Sequence, residues 1–600
     1  MFAKPEYLDG VKFLGSWIYF SLLDLVFGVY NYFVEKRTVS KPTDPILLLS
    51  ANQLIKKLKA KEIKSVDVIK AYIKRIEEVN DVINAAVFKN YEKALELAQK
   101  CDEELENVEA NSKEMIKSIY ASKPLFGLPY TVKDSMEVEG LNITCGIPAR
   151  KGIISKDTTT ALKNVHNAGA ILLALTNVPE MCLWMETSNT IFGRTNNSYD
   201  SRRTAGGSSG GEAALLAAAG SLIGVGCDIG GSIRIPATFN GVFGLKPGPN
   251  MIAACGPFCR YAEDLPLMLK AMAPEAYEDL KIDEPLDLTD LRVYYIPHLD
   301  GYDKEPVDGE IVNRLYDVVR YLEMNFGMRP KRFCFPELDN IFGMWLAVMD
   351  APGYPTIAEY ATDQNYKLDW FKELLKAVLG QSQHSVAAIY AGLSEEYPPF
   401  DDEQRRLALA VPLGLNSQGL PIGCQVIGAP KSERVLISVA HNLERKFGES
   451  RRFKDDTMMT SSRVSQCTLR FTLVVPGRRD KKRFWGLGYG VNQSWKRMSG
   501  MSGFLEVVKF LGSLIYFSLL DLGFFVYNHF FVEKRTVSKP RNPILLLSAN
   551  QLIVKLKAKE VNQIRGHHQS LHQEDRRGER RHQRRRVQEL RESLGIGAEM

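Results

Sequence analysis

Hydrophobic and polar positions change rhythm several times along this chain. From Phe13 to Val34 it is almost continuously apolar, FLGSWIYFSLLDLVFGVYNYFV, with Asp24 and Asn31 as the main interruptions. A run of that length matches a helix that crosses a hydrocarbon core. Val34-Glu35-Lys36-Arg37 offers no small-residue cleavage site, so a removed signal peptide does not fit. Residues 1–40 are expected to be a retained membrane anchor, with an interfacial helix as the alternative because Asp24 is costly at mid-membrane. Lys36, Arg37 and Lys41 follow the run and Lys4 and Lys12 precede it, a small excess that favours a cytosolic body.

From about Pro45 to Phe453 the rhythm becomes that of packed helices and strands. Leu54 to Ile76 and Tyr91 to Glu106 place apolar residues at helical spacing, with charged residues opposite. Ala161 to Gly169 predicts a helix that stops on glycine, and Ala170 to Thr176 a short buried strand; Ser221 to Gly226 and Cys424 to Ile427 read as similar strands. This alternation predicts an α/β fold around a mostly buried sheet.

An internal repeat follows the body. Val507 to Glu560 is nearly identical to the stretch from Gly10 to Glu62, at an offset of 497 residues up to Phe33 and 498 beyond it. Solenoid repeats are contiguous and diverged, whereas this copy restarts an N-terminus, with Met498 and Met501 where an initiator would stand. It reads as the start of a neighbouring duplicate gene. Codons for Gln573 to Arg580 can be chosen so that a one-nucleotide shift yields Lys-Arg-Ile-Glu-Glu-Val-Asn, the sequence of Lys74 to Asn80. Residues after about Asn562 are therefore expected to be an out-of-frame translation of the duplicate. Thr457 to Gly500 shows little periodicity and reads as a linker or as translated non-coding sequence. The domain expectation is an anchor over 1–40, a body over 41–453, a linker or non-coding stretch over 454–506, a second anchor-like copy over 507–560 and a basic, poorly structured tail over 561–600.

Charge sharpens that division. The formal net charge of +6 is unevenly spread: residues 1–456 carry 51 Lys and Arg against 60 Asp and Glu, and residues 457–600 carry 26 against 11. The basic character thus belongs to the last quarter and argues against nucleic acid as a partner of the body. The nine cysteines contain no CxxC pair, so neither a zinc site nor a disulfide framework is indicated, and they are read as reduced thiols.

Candidate chemistry centres on Ala205 to Pro247. Gly206-Gly207-Ser208-Ser209-Gly210-Gly211 and Gly230-Gly231-Ser232 flank a small-residue helix from Glu212 to Ala219. Such glycines let main-chain N–H groups approach a reacting oxygen. Neither loop carries the GK[ST] ending of a phosphate-binding P-loop, and Arg234 stands where a G-x-S-x-G elbow needs glycine. The body's histidines, His166, His298, His384 and His441, sit in no comparable motif. Lys133 instead closes the short apolar stretch Gly127 to Val132; buried there it would lose its charge and serve as a neutral base, although spacing alone reads it as a surface residue.

GGSSGGE followed by DIGGSIR resembles the amidase-signature family of serine hydrolases, and most closely its fatty-acid amide hydrolase 2 branch. The resemblance covers about Lys41 to Pro247, then patches at Gly256 to Met272 and Leu413 to Phe447. It implies an amidase-signature α/β fold with a mixed central sheet, and amide hydrolysis through an acyl-enzyme without metal or cofactor. By the same resemblance Ser232 is the nucleophile, Ser208 the bridging serine after a cis peptide bond, and Lys133 the base. The N–H groups of Ile229, Gly230, Gly231 and Ser232 would form the oxyanion hole. Ser209, Asp228 and Arg234 would brace the loop, and Met181, Cys182, Leu183 and Trp184 would line the acyl channel, with Cys182 and Ser208 at the substrate. A fatty-acid amide drawn from a membrane is the expected substrate, with a homodimer as a candidate assembly.

Two departures from the family pattern stand out. Only GPNMIAAC links Pro247 to Gly256, and between Ala388 and Pro412 similar proteins carry several tens more residues. Both resemble skipped exons. They leave open a catalytically impaired amidase-like membrane protein, because a shell loosened by about 1 Å can cost two orders of magnitude in rate.

Overall fold

The computed structural model describes residues 32–108, 112–248, 255–298, 307–333, 376, 407–429 and 431–448, and the backbone of 472–475. All lie in the first of two compact units, residues 1–525. Nearly all of the apolar run Phe13 to Val34, most of both short connections of the body, the repeat and the basic tail fall outside the described residues. Among the described residues no helix is long and apolar enough to cross a membrane.

The chain opens with helix α1 (Ala51–Lys59) and α2 (Ser65–Ile83). One continuous helical pattern over Leu54 to Ile76 predicts a single helix, yet the chain breaks between them, with Lys61 at φ 55°. The reason lies outside the pattern. Asp102, on α3 (Tyr91–Glu106), accepts hydrogen bonds from Ser65 N–H at 2.6 Å and Val66 N–H at 3.0 Å, capping a new helix start. Between them, β1 (Ala86–Lys89) follows α2, and α4 (Lys113–Ser122) follows α3.

The half that carries the glycine-rich loops is built by β2 (Pro129–Lys133), α5 (Thr160–Asn167), β3 (Ile171–Thr176), α6 (Gly210–Ala217), β4 (Ile223–Cys227), α7 (Arg234–Asn240), β5 (Phe243–Lys246) and β6 (Cys255–Cys259). Strands β2 and β3 are buried at every position, which is why β3 runs apolar without alternation, and in β2 the burial includes Thr131 and Lys133. Beyond them come α8 (Leu265–Met272), α9 (Pro274–Leu280), β7 (Tyr294–Ile296), α10 (Gly309–Phe326), β8 (Lys331–Arg332), β9 (Ala408–Leu415), β10 (Pro421–Gly428), α11 (Glu433–Phe447) and β11 (Thr472–Val475).

These strands form one 11-stranded mixed sheet in the order β1-β3-β2-β4-β6-β5-β9-β10-β11-β7-β8. Its β3-β2-β4 core is parallel, with Lys133 opposite Thr176 and Val132 opposite Val225. The pairs β4-β6, β6-β5, β5-β9 and β9-β10 are antiparallel. The expected α/β fold with a mixed central sheet is therefore present. Inside the stretch read as linker or non-coding, Thr472–Val475 is a strand seated between β10 and β7. Its TLVV run has the β-branched composition that suits a pleated surface.

Candidate active site

Lys133 ends β2 and is fully buried. Its Nζ donates to Ser208 Oγ at 2.6 Å and lies 3.2 Å from Cys227 Sγ. Ser208 follows a cis peptide bond from Gly207. Only glycine fits at 207, because a Cβ there would stand 2.4 Å from the Trp184 carbonyl oxygen. The fold thus brings together Lys133 and Ser208, the expected base and bridging serine, from 75 residues apart in the chain.

Ser232 is held by main-chain contacts. Its carbonyl accepts from Ser209 N–H at 3.1 Å, tying the start of α7 to the start of α6. Its hydroxyl makes no hydrogen bond among the described residues, so it is unspent by the fold. Asp228 fixes the loop before it: Oδ1 accepts from Gly231 N–H at 2.7 Å, and Oδ2 from Ile233 N–H at 3.1 Å and Arg234 Nε at 2.8 Å. Arg234 then reaches Gln425 Oε1 on β10 at 3.0 Å. Ser209 Oγ donates to the Cys227 carbonyl at 3.5 Å. These geometries place Asp228, Arg234 and Ser209 as supports of the loop. They also revise the oxyanion-hole expectation at one residue, since the Gly231 proton is already committed to a carboxylate. Ile229 sits in the same loop, 45% exposed.

Electrostatics around Lys133 differ from the simple burial argument. Burial acts to lower its pKa, but the Cys182 and Cys227 sulfurs act to raise it, and the net shift is upward. The neighbouring Cys145 thiol draws the Cys182 pKa down to about 6, burial opposes this, and the Lys133 charge assists it. The sulfurs thus favour the charged form of Lys133, where burial favours the neutral amine. Among the histidines, His166 Nε2 is paired with the Tyr130 hydroxyl at 2.6 Å and His298 Nε2 with Arg332 at 3.0 Å.

Sequence reasoning missed two carboxyl groups behind the site. Glu212, fully buried on α6, accepts from the hydroxyls of Thr131 on β2 and, at 2.6 Å, Thr176 on β3. Burial pushes its pKa up to about 8, against the pull of those hydroxyls. The signal was present in the chain, as the lone charge in the small-residue helix GGEAALLA. Asp134, next to Lys133, accepts from Thr144 N–H at 2.9 Å and from its hydroxyl, and burial raises its pKa to about 7.

A family model described as Amidase matches residues 67–385. The chain belongs to the amidase family. Fatty-acid amide hydrolase 2 of Homo sapiens is 33% identical to this amidase over 490 residues, covering 69% of the chain and 91% of the human protein. Fatty-acid amide hydrolase 2-A of Danio rerio is 34% identical over 519 residues, covering 73% and 96%. Among solved structures, a fatty acid amide hydrolase superposes with a TM-score of 0.53 at 20% identity, over 69% of this chain and 87% of that one. That last likeness concerns the fold. Within the amidase the buried Lys133–Ser208 contact and the braced Ser232 loop occupy the ends of β2, β4 and α6, as one connected cluster.

Proposed function

We propose that this amidase-signature hydrolase cleaves fatty-acid amides to a fatty acid and an amine through an acyl-enzyme on Ser232. The observation that carries the proposal is the buried 2.6 Å bond between Lys133 Nζ and Ser208 Oγ beside a serine whose hydroxyl the fold leaves unused. In its neutral form Lys133 takes a proton from Ser208, which takes one from Ser232 as Ser232 Oγ attacks the amide carbonyl. Ser208 returns the proton to the leaving amine, and water repeats the cycle on the ester. Of the expected oxyanion donors, the N–H groups of Ile229, Gly230 and Ser232 remain assigned to the developing oxyanion once Gly231 is given to Asp228, and each donor lost there costs roughly 3 kcal/mol.

Support for a lipid amide comes from the names of the curated relatives and from Met185, 64% exposed, and Ile229, apolar groups on the two loops that carry the site. A membrane anchor at Phe13 to Val34, with the catalytic body on the cytosolic side, belongs to the same proposal, as do Cys182 beside the substrate and a homodimer. The test is release of fatty acid from a long-chain fatty-acid amide by the full chain, compared with a short-chain amide. Preferential release from the long-chain substrate supports the proposal; cleavage of the short-chain substrate alone overturns the lipid assignment. A folded chain that cleaves neither substrate supports the impaired amidase-like protein to which the short Pro247 to Gly256 connection points.

A further inference from the structure

Three thiols gather around Lys133 that the amide chemistry does not require. Cys227 Sγ lies 3.2 Å from Lys133 Nζ and 3.6 Å from Ser135 Oγ. Cys182 interacts electrostatically with the thiol of Cys145, the hydroxyls of Ser135 and Ser208, and the Lys133 ammonium. Cys145 and Cys182 are free thiols, each partly exposed.

Their loops touch at the level of the backbone. Met181 N–H donates to the Cys145 carbonyl at 2.8 Å, and Cys145 N–H to the Asp134 carbonyl at 3.1 Å. A Cβ on Gly146 would stand 2.9 Å from Glu180 Cα. Cys145, Met181 and Cys182 all lie in the left-handed region, at φ 52°, 58° and 59°. Backbone held against its preference at three non-glycine residues marks a contact that the surrounding structure enforces.

We infer that Cys145 and Cys182 form a reversible oxidation site, at which a peroxide closes a disulfide and so changes the charge that faces Lys133. The effect on catalysis rests on the amidase mechanism proposed above. The two thiols are unequal in the way such a site needs. Cys182 is drawn down to about 6, chiefly by its interaction with the Cys145 thiol, whereas Cys145 is pushed well up by the same interaction and by burial. Cys182 thiolate attacks a peroxide oxygen, the O–O bond breaks, and hydroxide from hydrogen peroxide, or alkoxide from an alkyl peroxide, leaves and is protonated to water or alcohol. Sulfur has then lost two electrons as a sulfenic acid. The Cys145 sulfur attacks that sulfenic sulfur; the S–S bond forms, the S–O bond breaks, and the thiol proton leaves with the hydroxyl as water. A dithiol reductant reverses the step by exchange.

The consequence runs through charge. Cys182, Cys227 and Cys145 all act on Lys133, and Asp134 and Arg150 act on the thiol pair. Oxidation removes the Cys182 charge, so that burial, which favours the neutral amine, is opposed by Cys227 alone. Because Lys133 works as a base when neutral, the acid limb of the rate moves to lower pH.

The experiment treats the full chain with hydrogen peroxide, alkylates free thiols, maps disulfide-linked peptides by mass spectrometry, and records fluorophosphonate labelling rate against pH. Expected is a Cys145–Cys182 linked peptide, an acid limb lowered by about 1 pH unit or more, and return of both with dithiothreitol. Cys145→Ser is expected to lose the linked peptide and the dithiothreitol recovery, since Cys182 then oxidises past sulfenic acid irreversibly. Recovery of Cys145 and Cys182 as separately alkylated thiols, or linked to other cysteines, overturns the site. A linked pair with an unmoved acid limb overturns the charge argument. A chain that forms the linked peptide but is never labelled keeps the oxidation site and removes the amidase mechanism.

Discussion

Lys133 is where opposing forces are most closely matched. Burial favours its neutral form and the neighbouring sulfurs favour its charged form, with the sulfurs ahead. Replacing the thiolate-forming neighbour by Cys182→Ser removes a negative charge and lowers the Lys133 pKa. The acid limb of amidase activity is then expected to shift to lower pH, by about 1 unit or more. An unchanged limb, measured by initial rates across pH, refutes the assigned cause. Ser208 and Ser232 were legible as candidates because GGSSGGE and DIGGSIR are specific strings, and Lys133 through the resemblance those strings carry, since its spacing alone reads as a surface residue. The thiol cluster was not, because Cys145, Cys182 and Cys227 meet only after three separate loops fold around the end of β2.

At the scale of elements, α6 works as a buried pin between β2 and β3. Thr131 and Lys133 lie two apart on β2, so they share a face; Glu212 holds the first while Ser208 meets the second. Glu212→Ala is expected to cost about 2–4 kcal/mol by leaving a cavity and unpaired hydroxyls, whereas Glu212→Gln, which keeps a neutral acceptor, costs less; denaturant unfolding compares the two. Gly207→Ala drives a Cβ to 2.4 Å from the Trp184 carbonyl, and is expected to reduce Ser232 labelling about 100-fold. Labelling at the wild-type rate contradicts the packing described. Most elements were readable from periodicity: Tyr91–Glu106 matches its predicted helix, and Ile171–Thr176 lies within its predicted strand. The break between α1 and α2 was hidden because its cause, Asp102, comes from another helix.

For the whole molecule, raised carboxyl pKa values set a pH dependence of stability. Glu212 binds its proton more tightly folded than unfolded, so its stabilising share is complete below about 4.5 and is lost as pH climbs to about 8. Asp134 and Asp264, raised by burial to about 7 and about 6, act in the same direction. Thermal unfolding is expected at lower temperature at the alkaline end of this window, and Glu212→Gln flattens the slope; a Tm rising with pH through the window contradicts it. Strand β11 adds a second prediction. Ending the chain after Phe453 removes Thr472–Val475 from between β10 and β7, and is expected to lower Tm by about 2 °C or more relative to a chain ending after Gly500. That strand escaped the sequence reading because short β-branched runs are indistinct in a stretch without periodicity.

The central claim is a serine acylated through Ser208 and Lys133, and fluorophosphonate labelling of the full chain tests it most directly. One labelled site is expected, lost in Ser232→Ala and in Lys133→Ala while circular dichroism shows both variants folded. Labelling that persists in Ser232→Ala contradicts the account.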